Sequence, residues 1–175
     1  MAIRPILTYG DPRLIAENAP VESFDDALAV LVDDLFLTAA AAPGLGLAAP
    51  QVGVNLRLAV IDLSVAKDPQ QRWVLANPEI VERHGSTTME EGCLSFPGLF
   101  TTIDRPRSVH VRFQDLDGAI SEREVDGLLA QAVCHEVDHL DSVLIVDHLR
   151  GLKRRMFLKR VRKMRDTGAW AAAAG

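Results

Sequence analysis

His135-Glu136-Val137-Asp138-His139 constrains this chain more than any other stretch. Two histidines four residues apart on a helix lie about 40° apart around the axis and about 6 Å along it, so both imidazoles can reach one metal ion. Glu136 directly follows the first histidine, where its carboxylate can take a proton from a metal-bound water. This is the H-E-x-x-H pattern of metallohydrolases. The same five residues also suit a polar helix face that binds nothing. The rest of the chain must therefore supply a third ligand.

With 175 residues, 48% of them apolar, the chain is long enough for one domain with a real core. The expected domain covers 1–168, followed by an Ala-rich tail at 169–175 that frays. No apolar run approaches the roughly 20 residues of a membrane span. The start, Met1-Ala2-Ile3-Arg4-Pro5-Ile6, lacks the pattern of a secretion signal. Two cysteines cannot form a disulfide framework, and a required free thiolate suits a reducing compartment. A cytoplasmic protein is expected, monomeric by default.

Ser23 can cap a helix over about 24–41, where Leu28, Leu31, Val32, Leu35 and Phe36 recur at helical spacing. Pro43-Gly44 stops it, and 44–53 is small, apolar and Gly-rich. Residues 56–63, 73–82, 109–115 and 120–125 read as strands, the last two joined by a turn at Asp117-Gly118. Asp126 can cap a helix over about 127–141 that carries the two histidines. Residues 150–165 form a second C-terminal helix. The order of helix, strands, helix indicates an α+β fold.

The candidates for the third ligand can be counted. A zincin with H-x-x-G-x-x-H would need Gly at Ser142 and His at Ile145, and neither fits. A downstream glutamate does not exist, because no Glu follows residue 136. Asp147 and His148 remain, but they fit the top of the next helix better. Upstream, Cys93 lies in Glu90-Glu91-Gly92-Cys93-Leu94-Ser95, a polar turn after Thr87-Thr88-Met89. A thiolate there would complete a three-ligand site with an open position for water. The alternative is a small buried hydrophobe.

Three segments together resemble the peptide deformylase family over nearly the whole chain. Gly44-Leu45-Gly46-Leu47-Ala48-Ala49-Pro50-Gln51 matches G-x-G-x-A-A-x-Q, Glu91-Gly92-Cys93-Leu94-Ser95 matches E-G-C-x-S, and His135 to Leu140 matches H-E-x-D-H-L. The resemblance implies small antiparallel or mixed sheets around a central helix carrying H-E-x-x-H, with N-terminal and C-terminal helices beside them. It implies removal of the formyl group from N-formylmethionyl nascent peptides, with release of formate. It implies one divalent ion per chain, ferrous iron in the cell, with zinc, nickel or cobalt able to occupy the site. Cys93, His135 and His139 would hold that ion. Glu136 would move the proton, and the Gln51 amide and Leu94 backbone N–H would face the developing oxyanion.

In such a family the substrate lies extended against backbone, and Gly44 and Gly46 would allow its close approach. Leu45, Met89, Leu128 and Ala132 would line the methionine pocket, with Gln131 as its polar exception. Glu91 and Arg105 would form a buried structural pair.

The chain departs from the family pattern at three places. Cys134 replaces the usual Gln before the first histidine and is expected to be a packed thiol. Phe100 replaces an Arg that helps to hold substrate. Gln131 enters a pocket that is usually apolar. These changes put substrate range and rate in doubt, not the metal or proton chemistry.

Nine of the 19 Lys and Arg lie in 150–165 with no Asp or Glu, leaving ten basic against 24 acidic residues elsewhere. Leu152, Met156, Phe157, Val161 and Met164 are expected to form its apolar stripe. Such a helix is either an ordinary solvated amphipathic helix packed by its stripe or, as the resemblance to a family acting on nascent chains implies, a contact to ribosomal RNA, with no DNA or membrane partner expected. Two other readings are a zinc endopeptidase, which lacks its downstream ligand, and a paralogue that binds without turnover.

Overall fold

The computed structural model describes residues 2–64, 72–168 and 170. Its elements in chain order are α1 (Asp26–Ala41), β1 (Gly46–Ala48), β2 (Leu58–Asp62), β3 (Arg72–His84), β4 (Thr87–Gly92), β5 (Phe100–Arg105), β6 (Ser108–Gln114), β7 (Ile120–Asp126), α2 (Gly127–Leu140) and α3 (Gly151–Asp166). One sheet has the order β1-β2-β3-β6-β7 and a second pairs β4 with β5. Every strand pair is antiparallel. The α+β class expected from the sequence is the one observed.

α1 begins two residues later than the sequence implied, because its cap is Asp25, not Ser23. The Asp25 carboxylate accepts from the Leu28 N–H at 3.0 Å. Leu28, Leu31, Val32 and Leu35 are buried against Leu47, Leu58 and Val60 of the first sheet. Phe36 stands at the edge of that stripe, beneath the Arg72 guanidinium 4.1 Å from its ring centre.

β1, β4 and β5 were not legible as strands. β1 is only three residues long, Gly46–Ala48. The polar turn expected over 90–95 begins later, because residues 87–92 form a strand whose inward positions are Met89 and Glu91, opposite Ile103 and Thr101. The alternation is present, but its buried position is a carboxylate, neutralised by Arg105 from the partner strand. A hydrophobic pattern cannot reveal an ionic core position.

α2 packs against the five-stranded sheet. Val133, Cys134 and Val137 pack on Ile61, Leu75, Val109 and Val111. Its last two carbonyls, of His139 and Leu140, both accept from the buried Asn18 side chain, at 3.3 and 3.0 Å. Asp126 occupies the N-cap position, but its side chain makes no capping bond.

α3 buries Phe157 and Val161 against Phe96, with Leu158 and Met164 at the margin. Leu152 and Met156, expected in that stripe, are 63% and 59% exposed. At about 100° per residue, Met156 lies about 120° and Leu152 about 160° off the Phe157–Val161 line. The tail expected to fray contains Trp170, which is buried edge-on against Phe96 at 6.3 Å. Residues 169 and 171–175 lie outside the described residues. Among the described residues, no helix is long and apolar enough to cross a membrane.

Candidate active site

α2 and the loop after β4 meet at the floor of a cleft of about 820 Å³. Cys93 follows the end of β4, and His135 and His139 project from one face of α2. Their ligand-capable atoms all lie within 4.8 Å of one another. Cys93 Sγ and His139 Nε2 are 3.3 Å apart. The His135 Nδ1–H donates to Glu91 Oε2 at 3.1 Å, which leaves its Nε2 toward the cluster. A carboxylate on the far nitrogen fixes the tautomer of a metal-ligating imidazole and raises its basicity.

The residues fit a divalent ion. One thiolate and two imidazoles are a donor set for zinc, ferrous iron and their neighbours. Glu136, adjacent in sequence and lining the same cleft, has a buried Oε2 without a hydrogen-bond partner among the described residues. An unpaired buried carboxylate oxygen is costly unless a water or reactant meets it. Burial pushes the Glu136 carboxyl up to about 7. A group poised near neutrality can both take and return a proton.

Gln51, in the 3-10 turn Ala49–Val52, is held at both ends of its amide. Its Oε1 accepts from the Ala48 N–H at 2.9 Å, and its Nε2 donates to Ser95 Oγ at 3.1 Å while lying 3.7 Å from Cys93 Sγ. The donor therefore points at the cluster without freedom to flip. Ser95, its positioning partner, was not singled out from the sequence.

The two glycines of the first motif make room for the chain itself. A Cβ on Gly46 would sit 2.5 Å from Glu136 Oε1 and 3.0 Å from the Val60 carbonyl. A Cβ on Gly44 would sit 2.7 Å from Leu94 Cδ1. The expectation gave these glycines to the substrate alone. Gly46 is also the surface on which Glu136 rests.

Gly44, Leu45, Gly46, Leu94, Leu128, Gln131 and Ala132 all line the cleft. Met89 does not. It shares a strand face with Glu91 and pairs opposite Ile103, one turn of the pleat farther from the α2 histidines. The Gln131 Nε2 donates to the Glu90 carbonyl at 3.2 Å, which ties the amide to β4 at the pocket wall. Phe100 lines the mouth, 56% exposed, with its ring lying on Gly92. Cys134 faces the opposite side of α2 in the core, where burial pushes its thiol up to about 11. It lies outside the ligand cluster.

Glu91 and Arg105 form a two-pronged pair at 2.7 and 2.9 Å, both almost fully buried. Burial alone would raise the Glu91 pKa, but the hydrogen bonds from Arg105 and His135 outweigh it and hold the carboxyl at about 2. A carboxyl held low in the folded state stabilises the fold above its unfolded value near 4.5, and that contribution disappears as pH falls toward 2. The metal-free protein should therefore lose on the order of 3 kcal/mol between pH 6 and pH 2 through this group. Urea unfolding of the parent and of Glu91→Gln at several pH values tests it: the variant should show the shallower dependence.

A glutamate beside a histidine pair on a helix, with a cysteine sulfur completing the cluster at a cleft floor, defines the class of metallohydrolases. The model of the polypeptide deformylase family matches residues 3–155. A peptide deformylase of Acidobacterium capsulatum is 47% identical over 170 residues, covering 97% of this chain and 100% of that protein. Peptide deformylase 2 of Xanthomonas campestris pv. campestris is 47% identical over 168 residues, covering 94% of this chain and 98% of that protein. The crystal structure of a peptide deformylase from Legionella pneumophila superposes with a TM-score of 0.88 at 45% identity, covering 96% of this chain and 98% of that one. The chain belongs to the polypeptide deformylase family. It is an enzyme that removes the N-formyl group from nascent peptides, in a family that depends on a metal.

Proposed function

We propose that Cys93, His135 and His139 hold one divalent ion, ferrous iron in the cell, and that Glu136 is the proton carrier of the reaction. The convergence of the three donor atoms within 4.8 Å, beside a buried unpartnered Glu136 oxygen, carries this reading. Zinc, nickel and cobalt suit the same donors. When bound, the ion supplies Lewis acidity toward the attacking water and the formyl oxygen. Glu136 removes a proton from that water and returns one to the departing methionine nitrogen. The Gln51 amide and the Leu94 backbone N–H stabilise the charge that develops on the formyl oxygen. Formate and a free amine leave.

The substrate lies extended along the open edge of β1, with Gly44 to Gly46 on one side and the methionine side chain against Leu128, Gln131 and Ala132. Phe100 offers an apolar surface beyond the first residue where the family usually has a cation. Metal analysis tests the ligand set. Cys93→Ala should lose stoichiometric zinc, while Cys134→Ala should keep it. Equal retention by both variants would remove Cys93 from the site.

The same reading places one catalytic domain over 1–168 of a monomeric, cytoplasmic protein that works at the ribosome through α3. Two of the cations on α3 have packing duties: Lys153 donates to the Thr102 hydroxyl at 2.6 Å and Arg154 to the Val146 carbonyl at 2.7 Å. Arg155, Lys159, Arg160 and Arg162 are exposed and fit phosphate contacts. Neutralising these four should abolish salt-dependent co-sedimentation with ribosomes. Unchanged sedimentation would contradict the contact.

A further inference from the structure

Arg105 is bound to more than Glu91. Its Nη1 donates to Asp138 Oδ2 at 2.6 Å, while Nε and Nη2 hold the two oxygens of Glu91. The same Asp138 oxygen accepts from His148 Nε2 at 2.7 Å. Glu91 Oε2 in turn accepts from His135 Nδ1 at 3.1 Å. An unbroken line of hydrogen bonds thus runs from His148 through Asp138, Arg105 and Glu91 to His135. It begins on the 3-10 turn Ile145–His148 and passes through α2, β5 and β4 before returning to α2.

The two ends of this line differ in freedom. Arg105 and Glu91 are nearly sealed, whereas the Asp138 and His148 side chains are 24% and 29% exposed. Asp138 with a single donor could swing toward water. With two donors on one oxygen its carboxylate is fixed, and so is the plane of the guanidinium. A guanidinium clamped by two carboxylates cannot pivot about either one. The turn that carries His148 is itself held, by the Leu144 N–H on Asp147 Oδ2 at 3.0 Å and by Arg154 of α3 on the Val146 carbonyl.

We propose that His148 is a positioning residue for the site: through Asp138 and Arg105 it fixes the Glu91 carboxylate that orients His135. The inference rests on His135 being a metal ligand. It assigns a role to a side chain that sequence reasoning left at the top of the last helix. Removing a group that orients a ligand typically costs 10–100-fold in metal affinity, and the outermost member should fall at the low end.

Zinc affinity, measured by chelator competition on the full chain, tests the proposal without using activity. His148→Ala should raise the zinc Kd by about tenfold. In an Asp138→Asn background the same change should have almost no effect, because the line is already broken there. His148→Gln, which keeps a donor, should recover most of the affinity. A His148→Ala effect below threefold, an equal effect in both backgrounds, or no recovery by Gln overturns the proposal. A parent that binds no zinc would remove the ligand reading itself, which separates that failure from this one.

Discussion

Glu136→Gln should lower kcat/KM for a formylated peptide by about 10³- to 10⁴-fold while leaving the bound metal in place. Acid–base help from one positioned side chain is worth roughly 10²–10⁴-fold, and this glutamate serves both the attack and the departure of the amine. Gln keeps the shape that rests on Gly46 but cannot take a proton. Cys93, His135 and His139 are untouched, so metal stoichiometry should stay at the parent's value. The pH profile gives a second reading. Glu136 acts as a base only when ionised, so activity should fall as pH drops through its pKa. Burial sets that value at about 7, and a cation beside it would lower it. The acid limb should therefore lie at or below about 7 in the parent and be missing from the residual activity of Glu136→Gln. A loss smaller than tenfold, with metal retained, would place proton transfer elsewhere.

Gly46→Ala is expected to have the next largest effect, although the added group is a single methyl. The new Cβ would sit 2.5 Å from Glu136 Oε1 and 3.0 Å from the Val60 carbonyl. The carbonyl belongs to the neighbouring strand β2, which pairs with β1 at Leu47, so it cannot give way cheaply. The glutamate must turn, or β1 must shift out of the cleft. A displacement near 1 Å at a reacting group costs on the order of 10²-fold in rate. Gly44→Ala is the matched control. Its Cβ meets the end of the Leu94 side chain, which has rotamer freedom, so its loss should be clearly smaller. Paired kinetics with circular dichroism and metal content would separate displacement of Glu136 from unfolding. Equal rates for Gly46→Ala and the parent would mean that Glu136 has more room than the structure gives it.

What the sequence made legible was set by local pattern. H-E-x-x-H on a helix and the apolar period of α1 are both short-range signals. Cys93 could be reached by eliminating downstream ligands, and the family resemblance then assigned its role. The hidden parts are those where a distant partner supplies the physical reason. β4 and β5 disguise their alternation because Glu91 and Arg105 neutralise each other in a buried position. Gly46 looks like a loop glycine until Glu136, ninety residues later, is seen against it. Gln131 looks like a polar intrusion until the Glu90 carbonyl takes its amide. Asn18 has no local signal at all, since the carbonyls it caps lie more than a hundred residues away. On α3, composition correctly marked an amphipathic helix, but the assignment of Leu152 and Met156 to its stripe ignored their angular offset from Phe157. Trp170 was submerged in an alanine-rich context, where one large aromatic ring suffices to make a buried edge-on contact with Phe96.

A Cys93-His135-His139 metal site with Glu136 beside it should hydrolyse the formamide of formylmethionyl peptides. Formate release from formyl-Met-Ala-Ser tests it most directly, using protein prepared without oxygen and loaded with ferrous iron. The predicted result is catalytic formate production by the parent and production reduced by at least about 10³-fold in Glu136→Gln. No formate from the iron-loaded parent, beside an active reference deformylase, would contradict it.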